Sequence, residues 1–122
     1  KISGMAHIML PDSTQIKNNS NPAKFADTGI EKLFNDMIKM GAKPRNIVGK
    51  IAGGSQMFNF KGASDIMRIG DRNVAAVKKT LKELDIPLIA KDTGGSYGRT
   101  IELYSESGDL SIKTIGYGVS VI

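Results

Sequence analysis

The sequence predicts one compact α/β domain in which two main helices pack on layers of mixed or antiparallel β-sheet. Its 122 residues, 40% apolar and 24% charged, fit one domain with its own hydrophobic core. Apolar residues recur at helical spacing in two stretches, and short apolar runs separate and follow these stretches. No repeat or linker divides the chain, so we expect the order β-α-β-loop-α-β-β-β.

The first predicted element is a strand over Ile2–Leu10. A period of two places Met5, His7 and Met9 on one face, and the opposite face is also largely apolar. Such a pattern is typical of a buried strand. Pro11-Asp12-Ser13 ends it, and a polar loop follows.

The first predicted helix has two candidate starts. Asn21-Pro22 offers an N-cap followed by proline at the first helical position, and Thr28-x-x-Glu31 has the spacing of a capping box. Gly41 ends the helix. Its apolar face comprises Phe25, Ile30, Leu33, Phe34, Met37 and Ile38.

The second half of the chain alternates in the same way. Gly70-Asp71-Arg72-Asn73 opens the second helix, whose inward side chains are Val74, Val77, Leu81 and Leu84, and Ile86-Pro87 ends it. The predicted strands are Ile47–Ala52, Leu88–Lys91 and a hairpin of Arg99–Tyr104 with Leu110–Ile115.

Composition excludes several kinds of chemistry and location. With no cysteine and one histidine, these residues can form no disulfide, thiol nucleophile or multi-histidine metal site. The net charge of +5, from 17 basic and 12 acidic residues, predicts only a mild attraction to acidic surfaces. Tryptophan is absent and aromatic residues do not alternate with basic ones, so nucleic-acid binding has only the charge to support it. No apolar run is long enough to span a bilayer, and we expect a cytoplasmic protein.

Three features could carry a function, and each has a purely structural alternative. His7 is either a general base or a core histidine bonded to a backbone carbonyl. Two glycine turns, Ala52–Gln56 and Asp92–Ser96, either approach a ligand oxyanion or simply close the sheet. Met57 and Phe58 either complete the core or form an exposed anchor for a partner.

Several strings of the sequence, in order over essentially the whole chain, resemble the CheD family of chemotaxis proteins. They are Gly4-Met5-Ala6-His7-Ile8-Met9-Leu10-Pro11, Phe25-Ala26-Asp27-Thr28, Lys50-Ile51-Ala52-Gly53-Gly54-Ser55-Gln56-Met57-Phe58, Ile69-Gly70-Asp71-Arg72-Asn73-Val74, Asp92-Thr93-Gly94-Gly95 and Arg99-Thr100-Ile101-Glu102. The resemblance implies hydrolytic deamidation of glutamine side chains on methyl-accepting chemotaxis receptors. It implies no cofactor and no metal.

The resemblance also implies which residues would act. His7 corresponds to the family's catalytic base, whereas its nucleophilic cysteine and orienting threonine belong to a segment that we expect upstream of Lys1. We therefore interpret residues 1–122 as a CheD-like domain without its N-terminal strand or strands and nucleophile segment, and expect it to be inactive alone. The family in some bacteria also binds and stimulates a CheC-type phosphatase, for which Met57 and Phe58 are the predicted contact. A non-catalytic module that binds the phosphatase or receptor helices is the alternative.

Overall fold

A computed structural model describes residues 1–13, 21–56 and 68–122. Along these residues lie α1 (Ala26–Lys39), β1 (Gly49–Gly53), α2 (Ile69–Glu83), β2 (Leu88–Thr93), β3 (Thr100–Leu103), β4 (Leu110–Thr114) and β5 (Gly118–Val121). Two short 3₁₀ helices, Pro22–Lys24 and Pro44–Asn46, flank α1. The predicted α/β class with two main helices is confirmed.

The strands of the described residues form two sheets of different kinds. β1 and β2 pair in parallel, whereas β3, β4 and β5 form an antiparallel sheet in that order. A parallel pair needs a long crossover connection, and α2 lies between β1 and β2 in the chain. The predicted hairpin is β3 with β4, closed by a hydrogen bond from the Tyr104 amide to the Asp109 carbonyl.

Each candidate helix start contributes to the structure in its own way. The Asn21 side chain caps the 3₁₀ helix Pro22–Lys24, and α1 then begins at Ala26. Thr28 lies inside α1 and its hydroxyl donates to the Pro22 carbonyl at 2.5 Å, so the capping-box interpretation is wrong. Gly41 follows the last turn with a φ of +113°, the left-handed conformation that favours glycine after a helix.

The hydrophobic core lies between the two helices and the parallel strands. Its most buried members are Ile30 of α1, Leu81 of α2, and Ile47 and Ile86, which precede β1 and β2. Partly buried neighbours include the predicted inward residues Phe34, Met37, Ile38, Val77 and Leu84. Burying one aliphatic side chain of this size stabilises a fold by about 1.5–3 kcal/mol. The apolar residues recur at helical spacing because they lie on the face of each helix that packs in this core.

Two strand predictions differ from the structure. Residues 2–10 belong to neither sheet, and their β pairing within the described chain is an isolated parallel bridge between Leu10 and Phe25. The predicted burial of this segment is also wrong on one face, because Met5, His7 and Met9 face solvent while Ala6 and Ile8 on the other face are half-buried. β5 was not predicted from the sequence.

Lys50 of β1 connects the two sheets. Its ammonium donates to the backbone carbonyls of Gly108 and Ile122, both at 2.7 Å. Gly108 lies in the β3–β4 turn and Ile122 directly follows β5, so one side chain holds the antiparallel sheet beside β1. Neither helix of the described chain has both the length and the apolar character needed to cross a membrane.

Candidate active site

His7 lies in the middle of an extended segment and its side chain is exposed. The side chains two residues away on the same face, Met5 and Met9, are 51% and 58% exposed. Within the described residues the imidazole has no hydrogen-bonding partner. The alternative of a core histidine bonded to a carbonyl is therefore wrong.

The opposite face of this segment packs on α1. A Cβ at Gly4 would collide with the Leu33 side chain, and one at Gly29 would meet Ile8 at 3.0 Å. At Gly29 a Cβ would also lie 2.7 Å from the Ala23 carbonyl oxygen, so only glycine fits there without a backbone shift, whereas at Gly4 the clash is with the end of the flexible Leu33 side chain. The backbone that carries His7 is thereby held against α1 while its imidazole remains on the outside.

Backbone hydrogen bonds fix the carboxyl end of the segment. The amides of Met9 and Leu10 both donate to the Lys24 carbonyl, at 2.8 and 3.0 Å, and the Ala26 amide donates to Leu10 at 2.9 Å. Beyond them, the Asp27 carboxylate accepts from the Ser13 hydroxyl at 2.7 Å. The chain after His7 is thus tied to the start of α1.

Side chains hold the same segment at two more points. At its beginning, Lys1 donates to the Glu106 carbonyl at 2.7 Å, and the hydroxyls of Ser3 and Ser105 are hydrogen bonded. Near its end, the Asn73 amide group on α2 donates to the Met9 carbonyl at 3.2 Å. His7 therefore lies between contacts with the β3–β4 turn and with both helices.

The two glycine turns predicted as possible oxyanion sites lie side by side. The Gly94 amide donates to the Gly53 carbonyl at 2.9 Å, and the Gln56 amide donates to Gly95 at 3.0 Å. Both pairs of glycines, 53–54 and 94–95, have positive φ, which explains the residue type. Because these amides bond one turn to the other, the contacts favour the structural interpretation, in which the turns close the sheet.

The Arg99 side chain forms hydrogen bonds with both glycine turns. Its side chain is 3% exposed and donates to the Ser55 hydroxyl at 2.8 Å, the Gly94 carbonyl at 3.0 Å and the Asp92 carboxylate at 3.1 Å. The guanidinium also lies 4.6 Å from the centroid of the Tyr97 ring. Asp92 and Arg99, whose role the sequence left open, therefore stabilise the place where the glycine turns 52–56 and 92–96 meet, which we call the glycine corner.

The other predicted site residues lie elsewhere or outside the described chain. Met57 and Phe58 follow directly on the turn at Gln56 and fall outside the described residues. Among the residues that are described, no group of three or more histidine, cysteine, aspartate or glutamate side chains could hold a metal ion.

Comparison with known families decides the assignment. Residues 9–114 match the family model for CheD chemotactic sensory transduction. The chain belongs to the CheD family.

Curated CheD proteins extend this match beyond the family model, to His7. A probable chemoreceptor glutamine deamidase CheD of Caldanaerobacter subterraneus is 60% identical over 122 residues, which are the whole of this chain and 75% of that protein. The protein of the same name from Lachnoclostridium phytofermentans is 56% identical over 95% of this chain and 72% of its own length. The chemoreceptor glutamine deamidase CheD of Halalkalibacterium halodurans is 53% identical, with 97% and 74% covered.

In this CheD chain, the residue that sequence reasoning misjudged is Asn73. The sequence predicts that Gly70-Asp71-Arg72-Asn73 opens the second helix. The structure places the N-cap at Arg68 and Asn73 one turn inside α2. Its bond to Met9 joins residues 64 positions apart, so no local pattern could have revealed it.

Proposed function

We propose that the protein containing this chain is a chemoreceptor glutamine deamidase of the cytoplasm, in which His7 is the general base. Its substrates are glutamine side chains of methyl-accepting chemotaxis receptors. The observation that carries the proposal is the exposed imidazole of His7, which has no partner among the residues that the structure describes, on a segment fixed at both ends. Relatives at up to 60% identity, aligned through this segment, bear the deamidase name.

The chemistry requires a thiol that these 122 residues do not contain. We place the nucleophilic cysteine and its orienting threonine in residues preceding Lys1, and the relatives are longer than the part aligned here. His7 takes the thiol proton, and the thiolate attacks the glutamine Cδ. The C–N bond then breaks, ammonia leaves with the proton from the imidazolium, and water hydrolyses the thioester to glutamate and free thiol.

The test uses the full-length natural protein and a purified cytoplasmic fragment of one of the organism's receptors. We expect release of ammonia, together with peptides whose mass increases as the amide NH2 is replaced by OH. His7→Gln should reduce the rate by at least about a hundredfold, since general-base catalysis contributes about 10²–10⁴-fold. Residues 1–122 alone should be inactive.

Met5→Gln is the matched control. Met5 lies two residues from His7 on the same exposed face, so it tests whether any change on that face affects the reaction. We expect its rate to remain within about threefold of wild type, because it holds no proton in the reaction. Full activity of the His7→Gln protein would refute the assignment of His7, and a wild-type protein that releases no ammonia would refute the deamidase itself.

We further propose that the protein binds a CheC-type phosphatase and enhances its activity, with Met57 and Phe58 as the apolar anchor. Supporting this, the residues immediately before Met57 are held firmly: Gln56 bonds to Gly95 through its backbone and to the Gly70 amide through its side chain. A segment that leaves a fixed turn requires less ordering when a partner binds.

Phe58→Glu tests the phosphatase contact. We expect affinity to fall at least tenfold, which corresponds to about 1.4 kcal/mol, because an aromatic anchor at an interface is replaced by a charge. Met40→Glu introduces the same charge at an exposed methionine after α1 and should leave affinity unchanged. Equal affinities for the two variants would remove Phe58 from the interface. Phosphatase binding by a wild-type protein without deamidase activity would favour the interaction module.

A further inference from the structure

The segment that carries His7 lacks the support that a sheet gives to a catalytic strand. Within the described residues its β pairing is the single bridge at Leu10, three residues beyond His7. A general base has to lie within hydrogen-bonding reach of the proton it removes, and an error of about 1 Å can cost about a hundredfold in rate. The contacts that hold this backbone therefore bear directly on the reaction.

On the carboxyl side of His7, the nearest hydrogen bonds that hold the segment are those of the Met9 backbone. Its amide donates to the Lys24 carbonyl at 2.8 Å, and its carbonyl accepts from the Asn73 side chain at 3.2 Å. Residues 7 and 9 are both exposed and lie only two positions apart, so a shift of the main chain at Met9 would displace the main chain that carries His7. One of these two bonds comes from backbone, and the other depends on one side chain.

Asn73 is attached to a rigid part of the molecule. It lies one turn into α2, whose start is pressed against the first glycine turn: the Gly70 amide donates to the Gln56 side chain, and a Cβ at Gly70 would collide with the Gly54 backbone. The hydrogen bond from Asn73 to Met9 therefore ties the His7 segment to the start of α2, which packs on the glycine turns.

The chemistry of Asn73 is otherwise unfavourable to the fold. Asparagine is a poor helix former inside a helix, since its side chain competes for backbone hydrogen bonds. Its Oδ1 is buried and has no hydrogen-bonding partner among the described residues, an arrangement that usually destabilises a protein. For stability alone leucine would serve better, since its side chain has the same number and branching of heavy atoms and leaves no buried oxygen without a partner.

We propose that Asn73 is a positioning residue for the deamidation, holding the Met9 carbonyl so that the His7 imidazole meets the nucleophile. The inference rests on the proposed function, in which His7 is the base. The proposal predicts that replacing the Asn73 side chain lowers the reaction rate without lowering the stability of the fold.

The experiment compares Asn73→Leu with wild type in the full-length protein. Leucine removes both the donor to Met9 and the buried unpaired oxygen, so the melting temperature should be unchanged or higher. We expect kcat to fall at least tenfold, in line with a displacement of about 1 Å or less, while KM stays within about threefold. Asn35→Leu, at an exposed position of α1, is the matched control and should alter neither constant.

A second measurement does not depend on activity. The imidazole signals of His7 in a ¹H–¹⁵N NMR spectrum, assigned by their loss in His7→Gln, should shift or broaden in Asn73→Leu and remain unchanged in Asn35→Leu. Unchanged His7 signals with unchanged kcat would overturn the proposal. A fall in kcat that is accompanied by a lower melting temperature and unchanged His7 signals would also overturn it, since Asn73 would then be structural only. If the wild-type protein released no ammonia, the deamidase proposal would fail, and the NMR comparison would still decide whether Asn73 positions His7.

Discussion

Replacing Arg99 by alanine should show how much the contacts of this side chain in the glycine corner contribute to the free energy of unfolding. The guanidinium makes three short contacts, to Ser55, Gly94 and Asp92. Two longer hydrogen-bonding contacts, to the Gly53 carbonyl and the Tyr97 hydroxyl, are 3.5 Å long and add little.

The magnitude follows from burial. A charged hydrogen bond contributes about 1.5–3 kcal/mol, and breaking a fully buried ion pair costs about 3–5 kcal/mol. Asp92 is 32% exposed and can be rehydrated, and the Ser55 hydroxyl keeps its bond to the Tyr97 carbonyl at 2.6 Å. We therefore expect Arg99→Ala to lower the free energy of unfolding by about 3 kcal/mol, at the lower end of that range.

Urea unfolding of the full-length protein, followed by circular dichroism, measures this change. Arg99→Lys retains the charge and loses the planar set of donors, so it should be intermediate, with a loss of at least about 1 kcal/mol. Arg45→Ala removes an exposed arginine in the second 3₁₀ helix and should stay within about 0.5 kcal/mol of wild type. If Arg99→Ala were as stable as Arg45→Ala, the corner would not depend on Arg99.

Two further predictions concern packing and charge. Gly70→Ala should destabilise the protein by about 1–3 kcal/mol because its Cβ would meet the Gly54 backbone, whereas Gly98→Ala, in open space, should change stability by no more than about 0.5 kcal/mol in the same urea experiment. Lys91 lowers the pKa of Lys78 below its usual 10.5 through a side-chain hydrogen bond and charge repulsion, so the folded state is penalised while both amines are protonated, and the penalty disappears as the pH rises through the lowered pKa to 10.5. Lys78→Gln should accordingly raise the melting temperature slightly at pH 7 and low salt, and a gain that persisted at pH 11 would contradict this origin.

The parts of the fold that the sequence predicts are those encoded by local periodicity. Ile30 and Leu81 recur at helical spacing because each lies on the buried face of its helix, and that pattern locates α1 and α2 but not their exact ends, since α1 begins at Ala26, between the two predicted starts. β5 escapes prediction since Gly118–Val121 has only four residues, all exposed, and pairs on one side with β4. A strand with no buried face gives no alternation to detect.

The candidate site divides in the same way. His7 was singled out by its residue type, and the period of two groups it with Met5 and Met9, but the sequence predicted a buried strand and the structure shows this face exposed. The bonds from Asn73 to Met9 and from Arg99 to Ser55 could not be foreseen, because they join positions 64 and 44 residues apart and leave no periodic trace. The glycine turns were visible as turns, but only the structure shows that their amides bond to each other.

The contact made by Lys50 has a consequence for how the turn between β3 and β4 can diverge among related sequences. Lys50 binds carbonyl oxygens, which every amino acid carries, so the attachment of the antiparallel sheet depends on the path of the main chain at Gly108 and not on which side chains surround it. The exposed Asp109 side chain is therefore free to vary in charge and size, whereas the Ser107 hydroxyl accepts from the Asp109 amide at 3.1 Å and helps to shape the turn. Sequence differences at this turn would then change the protein surface without changing the junction between the two sheets.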